Sequence, residues 1–459
     1  MTGSEQVTLT NDTICAVATR PGGALGVVRV SGPDAIRFTD RIFKSASTHP
    51  LASAAPYSLC YGQIVESDGS IVDDVLVSVF RAPHSFTGQD STEISCHGSV
   101  YILQKVCQLL IDAGCRQATP GEYTQRAFLN GKMDLSQAEA VADLIASTTA
   151  ATHRVAMNQM KGGFSRELRS LRDRLLQFTS LIELELDFSE EDVEFADRSQ
   201  LEQLAQAIDE LITRLANSFS TGNAIRNGVP VAIIGQTNTG KSTLLNQLLH
   251  DDRALVSDIQ GTTRDSIEDT TTINGVLFRF IDTAGIRQTA DTVESMGIER
   301  SCRKAHEASI ILWMTAPDQT DDSLAEDKIK GIAQGKRLIR VHNKYDDPAA
   351  LPAPTDNDVW ISAKYGYGIQ ALDDILVKAA DIPEIGAQDV IVTNMRHYES
   401  LVKAQECIRR VRKGLSEHIS GEFLSQDIRQ CIHHLSTITG DITTDEVLGN
   451  IFSHFCVGK

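Results

Sequence analysis

The sequence predicts an α/β + α fold in which a parallel sheet with flanking helices is inserted into a helical domain, and an α+β domain precedes both. Residues 229–380 alternate short apolar strands with helices, which is typical of a parallel sheet with crossover helices. On both sides of this region, apolar residues recur at helical spacing. The first 130 or so residues are instead typical of strands and turns with interspersed helices.

The composition indicates a globular chain without a membrane span. The length of 459 residues suits two to four domains of ~100–200 residues each. With 41% hydrophobic and 23% charged residues, the chain can form sizeable cores, which excludes a chain that is mainly disordered. The formal net charge of −18 excludes binding of nucleic acid or anionic membranes through overall charge, so RNA contact needs a local basic patch or a partner. The sequence has no run of about 18 apolar residues, no signal sequence and no C-x-x-C pair among nine cysteines. These features predict a cytoplasmic protein with reduced thiols.

Local patterns predict the elements on either side of the sheet. Strands are expected at 27–30 and 74–80, and a helix at 100–112 that stops at Gly114. Long amphipathic helices follow between Asp134 and about Asn217, interrupted by an acidic stretch that we interpret as a solvated face. We expect residues 134–225 to pack against 385–455, because both segments show helical texture. The predicted domains are 1–130, 131–228, 229–384 and 385–459.

A phosphate-binding loop is predicted at residues 235–242, which fit G-x-x-x-x-G-K-[ST] between an apolar strand and a helix. Backbone N–H groups of such a loop wrap phosphates, Lys241 adds a point charge, and the helix N-terminus adds its dipole. The Ser242 hydroxyl is placed to ligate Mg²⁺. A chance glycine-rich turn is disfavoured by the strand–loop–helix setting. The predicted contacts from this loop are Asn238, Thr239, Gly240, Lys241, Ser242 and Thr243.

Three further motifs follow predicted strands and together indicate guanine as the base. The carboxylate of Asp346, in the Asn343-Lys344-Tyr345-Asp346 motif, can accept two hydrogen bonds from guanine but not from adenine. At ~1.5–3 kcal/mol per charge-assisted bond, the two discriminate by roughly 10² to 10⁴. Ser362, Ala363 and Lys364 can offer a backbone N–H to the guanine O6, and Asp282, Thr283, Ala284 and Gly285 are placed for Mg²⁺ and the γ-phosphate. Each motif is weak alone, but four in order at strand ends are strong.

The residue that positions the attacking water is not settled by spacing. Ras-like proteins use a Gln directly after the D-T-A-G motif, and that position is Ile286 here, which cannot hydrogen-bond through its side chain. Asp291 and Glu294 are candidates for orienting the water, and Arg287 for stabilising charge. The alternative is that this polar segment is only a solvated switch loop. In the preceding loop, one threonine, Thr262 or Thr263, should complete the Mg²⁺ shell.

These motifs, together with both chain ends, resemble the MnmE (TrmE) family of tRNA-modifying GTPases over essentially the whole chain. The resemblance is carried by Gly261-Thr262-Thr263-Arg264-Asp265, by residues 120–132 (PGEYTQRAFLNGK), and by the C-terminal Phe455-Cys456-Val457-Gly458-Lys459. Further matching segments are Asp12-Thr13-Ile14, residues 26–32, residues 85–88 and His97-Gly98. The family usually ends C-I-G-K, and Thr237 and Thr239 replace a commoner Pro and Ala. None of these departures removes a ligand group.

The resemblance implies a potassium ion against the phosphates, where other GTPases place an arginine finger. The positions that match the K⁺ shell are Asn238, Ser257, Ile259 and Thr262. Thr263 joins Ser242 on Mg²⁺, and Glu294 matches the acid that positions the water. In the family, the GTPase domains pair face to face, which orders the loop around Gly261 and activates hydrolysis. The implied nucleotide contacts from the loop are Ser257, Asp258, Ile259, Gln260, Gly261, Thr262 and Thr263.

The resemblance also implies a folate-binding, dimer-forming N-terminal domain and a tRNA-modifying partnership. Arg29, Glu93, Lys132 and the C-terminal Lys459 match contacts to a reduced folate (5,10-methylene- or 5-formyltetrahydrofolate), a one-carbon donor. Without the resemblance, the first three would be interpreted as surface charges or salt bridges. Cys456 matches a cysteine near the modification chemistry, although a lone cysteine is more often buried and apolar. The homodimer would act with an MnmG-type flavoprotein that carries FAD, in a heterotetramer that modifies the tRNA wobble uridine.

Two other classes of protein remain as alternatives. A ribosome-assembly GTPase would share the nucleotide motifs but usually adds a basic RNA-binding domain, and none is visible in the sequence. A membrane-remodelling GTPase would need an amphipathic or apolar anchor, which is also not visible. Basic residues do line two predicted helices, and tRNA contact and solvated helix surface explain them about equally well. They are Lys161, Arg166, Arg169, Arg172, Arg174, Arg409, Arg410, Arg412 and Lys413.

Overall fold

A computed structural model describes most of the chain. The described residues are 12–47, 49–187, 198–236, 238–250, 269–281, 306–317, 329–383, 385–386, 389–453, 455 and 457–458. The chain forms two compact units, each assembled from separate segments. The first contains Met1–Ala142, Gln159–Asp187 and Ser425–Lys459, and the second contains Asp143–Asn158 and Phe188–Leu424.

The secondary structure is mixed in both units. The strands are β1 Ile14–Val17, β2 Leu25–Ser31, β3 Phe43–Ser45, β4 Ser58–Val65, β5 Ile71–Phe80, β6 Ser91–His97, β7 Arg116–Gln117, β8 Val229–Gly235, β9 Asp269–Ile273, β10 Val276–Phe280, β11 Ile310–Thr315, β12 Arg337–His342 and β13 Asp358–Trp360. The helices are α1 Ala35–Ile42, α2 Val100–Asp112, α3 Glu122–Leu129, α4 Leu135–Ala146, α5 Ala150–Met160, α6 Gly163–Asp187, α7 Arg198–Asn227, α8 Lys241–His250, α9 Ile369–Ala380, α10 Met395–Ser416, α11 Gly421–Thr439 and α12 Asp445–Ser453.

The first unit contains a seven-stranded sheet in the order β3-β4-β5-β6-β2-β1-β7. Its neighbours are antiparallel except β1 and β7, which run parallel. Alternate residues of β5, Val75, Val77 and Val79, are buried with Val106 and Leu110 of α2, so the alternating pattern of the strand forms one core face. The strands predicted at 27–30 and 74–80 and the helix predicted at 100–112 are confirmed.

The second unit contains a six-stranded sheet in the order β13-β12-β11-β8-β10-β9. All neighbours in it are parallel except β9 and β10, so the predicted parallel sheet is confirmed. The strand β9 was not predicted. It joins β10 through Asn274 and Gly275, both at positive φ (47° and 83°), which is the Asn-Gly hairpin turn whose twist matches paired strands.

Helices before and after the parallel sheet pack together, as expected. In the second unit, α7 and α10 are joined by an ion pair between Asp209 and Arg412, whose Oδ2 and Nη1 lie 2.6 Å apart. In the first unit, Arg172 of α6 pairs with Asp441, which precedes α12, at 3.6 Å. No helix in the described part of the chain is long and apolar enough to cross a membrane.

Candidate nucleotide-binding site

The phosphate-binding loop lies between the end of β8 and the start of α8, as the motif predicts. Gly240 has φ +94°, a conformation that favours glycine, and its carbonyl accepts the N–H of Leu244 at 2.9 Å in the first turn of α8. Lys241 folds back over the loop and donates its Nζ to the carbonyls of Gly235 (2.9 Å) and Gln236 (2.7 Å). Burial lowers the pKa of Lys241, because desolvation disfavours the ammonium ion. A bound phosphate would offset that penalty.

The residues preceding Gly240 have opposite environments. Thr239 is fully buried, and its hydroxyl donates to the carbonyl of Gln236 at 2.9 Å. Asn238 is exposed in the left-handed conformation, with φ +61°, which asparagine tolerates better than most residues. Its amide oxygen is a hard donor of the kind that suits an alkali cation, and the half-buried Ser242 hydroxyl in the first turn of α8 suits Mg²⁺. Asn238 and Ser242, the described residues of the two proposed ion sites, therefore carry oxygen atoms of the kind that each ion prefers.

Asn343 connects three parts of the site, a role that the sequence did not predict. Its Nδ2 donates to the carbonyl of Thr239 at 2.7 Å, and its Oδ1 accepts the N–H of Ala363 at 2.9 Å. The side chain is buried, so both bonds satisfy polar atoms that would otherwise be costly to bury. A Cβ at Gly240 would fall on the Asn343 Nδ2. Glycine at that position therefore allows the loop to approach the end of β12.

The predicted base-recognition residues lie together. Ser362 is fully buried, and its hydroxyl donates to Oδ1 of the exposed Asp346 at 2.6 Å. This bond orients the carboxylate and leaves its Oδ2 without a hydrogen bond from the described residues. The N–H of Ala363, expected to meet the guanine O6, already donates to Asn343, so a guanine oxygen would share that donor. Lys344, which follows Asn343 in the motif, is in the left-handed conformation with φ +70°.

Thr243 and Lys364 are exposed, and eleven of the predicted nucleotide contacts lie outside the described residues. They are Ser257, Asp258, Ile259, Gln260, Gly261, Thr262, Thr263, Asp282, Thr283, Ala284 and Gly285. Also outside the described residues are the candidates for positioning the water, Asp291 and Glu294, and the candidate for stabilising charge, Arg287. The same holds for Cys456 and Lys459. Their roles stay predictions.

The candidate folate contacts Arg29 and Glu93 form a cross-strand ion pair between β2 and β6. The Nε and Nη2 of Arg29 lie 2.9 Å and 2.8 Å from the same oxygen, Glu93 Oε1. The guanidinium also lies 5.6 Å from the ring centre of Tyr123 and donates to the Gly458 carbonyl at 3.2 Å. Because Arg29 occupies Oε1, a pterin that binds both carboxylate oxygens would have to share one of them with Arg29. Lys132 Nζ donates separately to the Pro83 carbonyl at 2.9 Å.

Near the Arg29 pair lies a partly buried ion network that the sequence did not predict; Arg126 and Glu122 are buried in it, whereas Arg116 and Asp12 are partly exposed. Arg126 donates to Asp12 Oδ1 at 2.6 Å and to Glu122 Oε1 at 2.9 Å, while Arg116 binds both oxygens of Glu122 at 2.6 Å and 3.1 Å. All four residues belong to segments that carry the family resemblance or adjoin them. Spacing within the chain could have suggested only the pair Glu122 and Arg126, which are four residues apart on α3.

Several of the basic residues considered for tRNA contact are paired with acids. Arg169 lies 3.3 Å from Asp134, and Arg409 and Arg412 both approach Asp209, at 3.5 Å and 2.6 Å. Such pairs cancel local positive charge. This favours the interpretation of these basic residues as solvated helix surface over their interpretation as an RNA-binding surface. In the described part of the chain, no group of three or more His, Cys, Asp or Glu is arranged to hold a metal ion.

A phosphate-binding loop, a parallel sheet and a guanine-recognition motif at its carboxyl edge define a P-loop GTPase. The model for the family described as "GTP-binding protein TrmE N-terminus" matches residues 13–132, and that described as "MnmE helical domain" matches residues 135–456. The chain belongs to the MnmE (TrmE) family.

Relatives match over nearly the full length. The tRNA modification GTPase MnmE of Bacteroides fragilis is 59% identical over 469 residues, covering 98% of this chain and 100% of that protein. The same named protein of Christiangramia forsetii is 48% identical over 472 residues, covering 98% and 99%. Among solved structures, Era from Aquifex aeolicus aligns at 26% identity over 39% of this chain and 66% of that chain, with a TM-score of 0.24. The sequence matches extend beyond the GTPase region to both flanking parts of the chain.

Proposed function

We propose that the chain is a potassium-activated GTP hydrolase that acts in tRNA modification with an MnmG-type flavoprotein. The reaction would place an aminomethyl or carboxymethylaminomethyl group on carbon 5 of the wobble uridine, with a reduced folate as one-carbon donor. The observation that carries the proposal is family membership over 98% of the chain, combined with a guanine site whose described residues lie together.

The GTPase part of the proposal assigns two cations. Mg²⁺ would be held by Ser242 and Thr263, and K⁺ by Asn238 with Ser257, Ile259 and Thr262. The support is that Asn238 presents an exposed amide on the phosphate-binding loop. A cation at that place would offset charge that develops on the phosphates during hydrolysis. Glu294 would position the attacking water.

The N-terminal part of the proposal assigns a folate site to Arg29, Glu93, Lys132 and Lys459. Its support is the open carboxylate of Glu93, whose side chain is 31% exposed and whose Oε2 receives no hydrogen bond from the described residues. That oxygen can accept an N–H or amino group of a pterin. Cys456 would lie near the modification chemistry.

The proposed assembly is cytoplasmic, with two copies of the chain and a flavoprotein that carries FAD. The four predicted domains, 1–130, 131–228, 229–384 and 385–459, would divide the work between folate binding, the helical scaffold and GTP hydrolysis. The strongly negative net charge of −18 favours the flavoprotein as the main tRNA holder.

The proposal predicts a specific loss from tRNA. Cells that lack the protein should contain wobble uridines without the modification at carbon 5, and re-expression of the full chain should restore it. The measurement is nucleoside analysis of purified tRNA by mass spectrometry. Unchanged wobble uridines in the deletion strain would refute the tRNA function, while the guanine site would still stand.

A second prediction concerns the cation. Replacing Na⁺ with K⁺ should accelerate GTP hydrolysis by the wild-type chain, and Asn238→Ala should remove most of that acceleration while GTP still binds. The reason is that the variant loses one oxygen ligand of the ion and keeps Lys241 and Ser242.

A matched control is Asn274→Ala, because Asn274 is also exposed and also has positive φ, at +47°. Asn274 lies in the β9–β10 turn, away from the phosphate-binding loop. GTP turnover by the Asn274→Ala variant should therefore respond to K⁺ like that of the wild type. Steady-state hydrolysis in matched KCl and NaCl buffers decides the point. Equal stimulation of the Asn238→Ala variant and the wild type by K⁺ would show that Asn238 is not a ligand of the ion.

A further inference from the structure

A histidine–aspartate pair lies at one end of the N-terminal sheet, outside the residues assigned so far. Asp73 belongs to β5 and His97 ends β6. The Nδ1 of His97 lies 2.7 Å from Asp73 Oδ1, and the backbone N–H of His97 donates to Asp73 Oδ2 at 2.8 Å. The Asp73 side chain is 8% exposed, whereas the His97 side chain is 67% exposed. Both oxygens of a nearly buried carboxylate therefore bind one exposed histidine.

This arrangement fixes the protonation pattern of the imidazole. A carboxylate only accepts hydrogen bonds, so the proton of the neutral ring lies on Nδ1 and the lone pair on Nε2. The Nε2 receives no hydrogen bond from the residues that the structure describes. When Nε2 takes a proton, the Asp73 charge stabilises the imidazolium and holds the ring in place. The pair thus has the geometry of a general base.

Leu25 faces His97 in the β2–β6 register and is 71% exposed. The N–H of Gly22 donates to the Gly98 carbonyl at 2.8 Å, and a Cβ at Gly98 would fall on the Gly23 carbonyl. The glycine-rich loop before β2 is therefore held against the residue that follows His97.

The same ladder carries the candidate folate pair. In the β2–β6 register, Leu25 pairs with His97 and Arg29 with Glu93, so the two positions are four residues apart. At about 3.4 Å per residue, the separation along the strand is roughly 14 Å. An extended substrate bound at Arg29 and Glu93 can run along this ladder toward His97.

We propose that His97, held by Asp73, is the proton acceptor for the amine that supplies the nitrogen of the modification. This proposal rests on the proposed tRNA-modifying function. A primary ammonium ion has no free electron pair, so it must lose a proton before it attacks a one-carbon unit. In this step an N–H bond of the ammonium ion breaks, its electron pair stays on nitrogen as the nucleophile, and the proton forms a new bond to His97 Nε2. No electron is transferred.

The competing explanation is that Asp73 only caps the end of β6. A capping role needs the backbone N–H of residue 97 but not its ring. Since the ring is largely exposed, His97→Gln should leave the fold intact under either explanation. A capping role predicts normal activity of this variant, whereas a proton acceptor predicts a loss.

The test is a tRNA modification assay with the full chain, its flavoprotein partner, GTP and a reduced folate, with ammonium as the amine. His97→Gln should lower the rate of uridine modification by roughly 10²-fold, a typical loss for a general base. Potassium-dependent GTP hydrolysis and binding of 5-formyltetrahydrofolate should stay within twofold of the wild type. His49→Gln is the matched control, because His49 is an exposed histidine of the same region.

The pH dependence separates chemistry from structure. Besides His97, the titratable groups on β2, β5, β6 and α2 are Arg29, Asp73, Asp74, Glu93, Cys96, Tyr101, Lys105, Cys107 and Asp112. Burial raises the pKa of Cys96 to about 11, so it stays uncharged near neutral pH. If His97 accepts the proton, the wild-type rate should level off at higher pH, because the ring then takes the proton directly from the ammonium ion. The His97→Gln rate should instead rise steadily with pH, because more of the amine is then deprotonated in solution.

The outcomes are distinguishable. If the wild-type chain modifies uridine and His97→Gln does so at the same rate, His97 is not the proton acceptor and the tRNA function stands. If His97→Gln is slow and high pH does not raise its rate, the loss is structural and the proposal is also overturned. If the wild-type chain itself modifies no uridine, the proposed function fails before the histidine is tested.

Discussion

Asp346→Asn is expected to lower the affinity for GTP by roughly 10²- to 10⁴-fold, because two charge-assisted hydrogen bonds to guanine are lost. The Ser362 hydroxyl donates to Asp346 Oδ1 at 2.6 Å, and the other carboxylate oxygen receives no hydrogen bond from the described residues. An asparagine amide in this place would turn an N–H₂ group toward the N–H groups of guanine, and two donors repel each other. Xanthine has a carbonyl where guanine has its amino group, so the variant should gain affinity for xanthosine triphosphate.

The control for this prediction is Asp347→Asn, one residue further along. Asp347 is exposed, and its Oδ1 accepts the N–H of Ala349 at 3.0 Å, a bond that asparagine can also make. Its affinity for GTP should stay within twofold of the wild type. Competition binding with GTP, XTP and ATP measures both variants. Unchanged GTP affinity in the Asp346→Asn variant would mean that a group other than the Asp346 carboxylate recognises guanine.

Elements with a strong local signal could be predicted from the sequence. The strand before the phosphate-binding loop is β8, Val229–Gly235, with the bounds that its apolar run suggested. The helix α2, Val100–Asp112, also has its predicted bounds, because Gly114 takes a φ of +120° that ends it. The strand β9 was missed because its sequence, DTTTI, is polar. The signal that could have found it is the Asn274-Gly275 turn.

Contacts between distant segments could not be predicted, because the spacing of residues along the chain does not indicate which distant residues meet. Asn343 and Thr239 are 104 residues apart, and their bond exists only because β12 and the phosphate-binding loop meet at one edge of the sheet. Arg29 and Glu93 were each interpreted as ligand contacts, and their mutual ion pair depends on the β2–β6 register. Motifs therefore predicted candidate residues for the site, whereas the contacts that hold those residues in place became visible only in the fold.

Arg126→Met is expected to lower the free energy of unfolding by about 3–5 kcal/mol, the typical cost of removing one partner from a buried ion pair. The side chain of Arg126 is 4% exposed and that of Glu122 is 8% exposed. Methionine fills similar space but leaves Asp12 and Glu122 with one cation fewer. The measurement is the first thermal transition of the full chain by calorimetry, since a chain of several domains need not unfold in one step.

Arg37→Met is the matched control for Arg126→Met. Arg37 pairs with Asp34 at 3.2 Å, but its side chain is 61% exposed, and exposed pairs contribute ~0–1 kcal/mol. Its thermal transition should therefore stay close to that of the wild type. Equal stability of the Arg126 variant and the Arg37 variant would show that the buried network contributes no more than a surface pair.

The same network has an expected pH signature. Burial opposes the ionisation of Glu122, but hydrogen bonds from Arg116, the Thr119 amide and Arg126 outweigh it and lower its pKa. A carboxyl group with a lowered pKa stabilises the fold above its unfolded pKa of about 4.3, and this contribution is lost as pH falls through the folded pKa. Glu122→Gln should therefore be less stable than the wild type at pH 7, and the difference should shrink below about pH 4. A difference that stays constant across this range would mean that the charge of Glu122 is not what stabilises the fold.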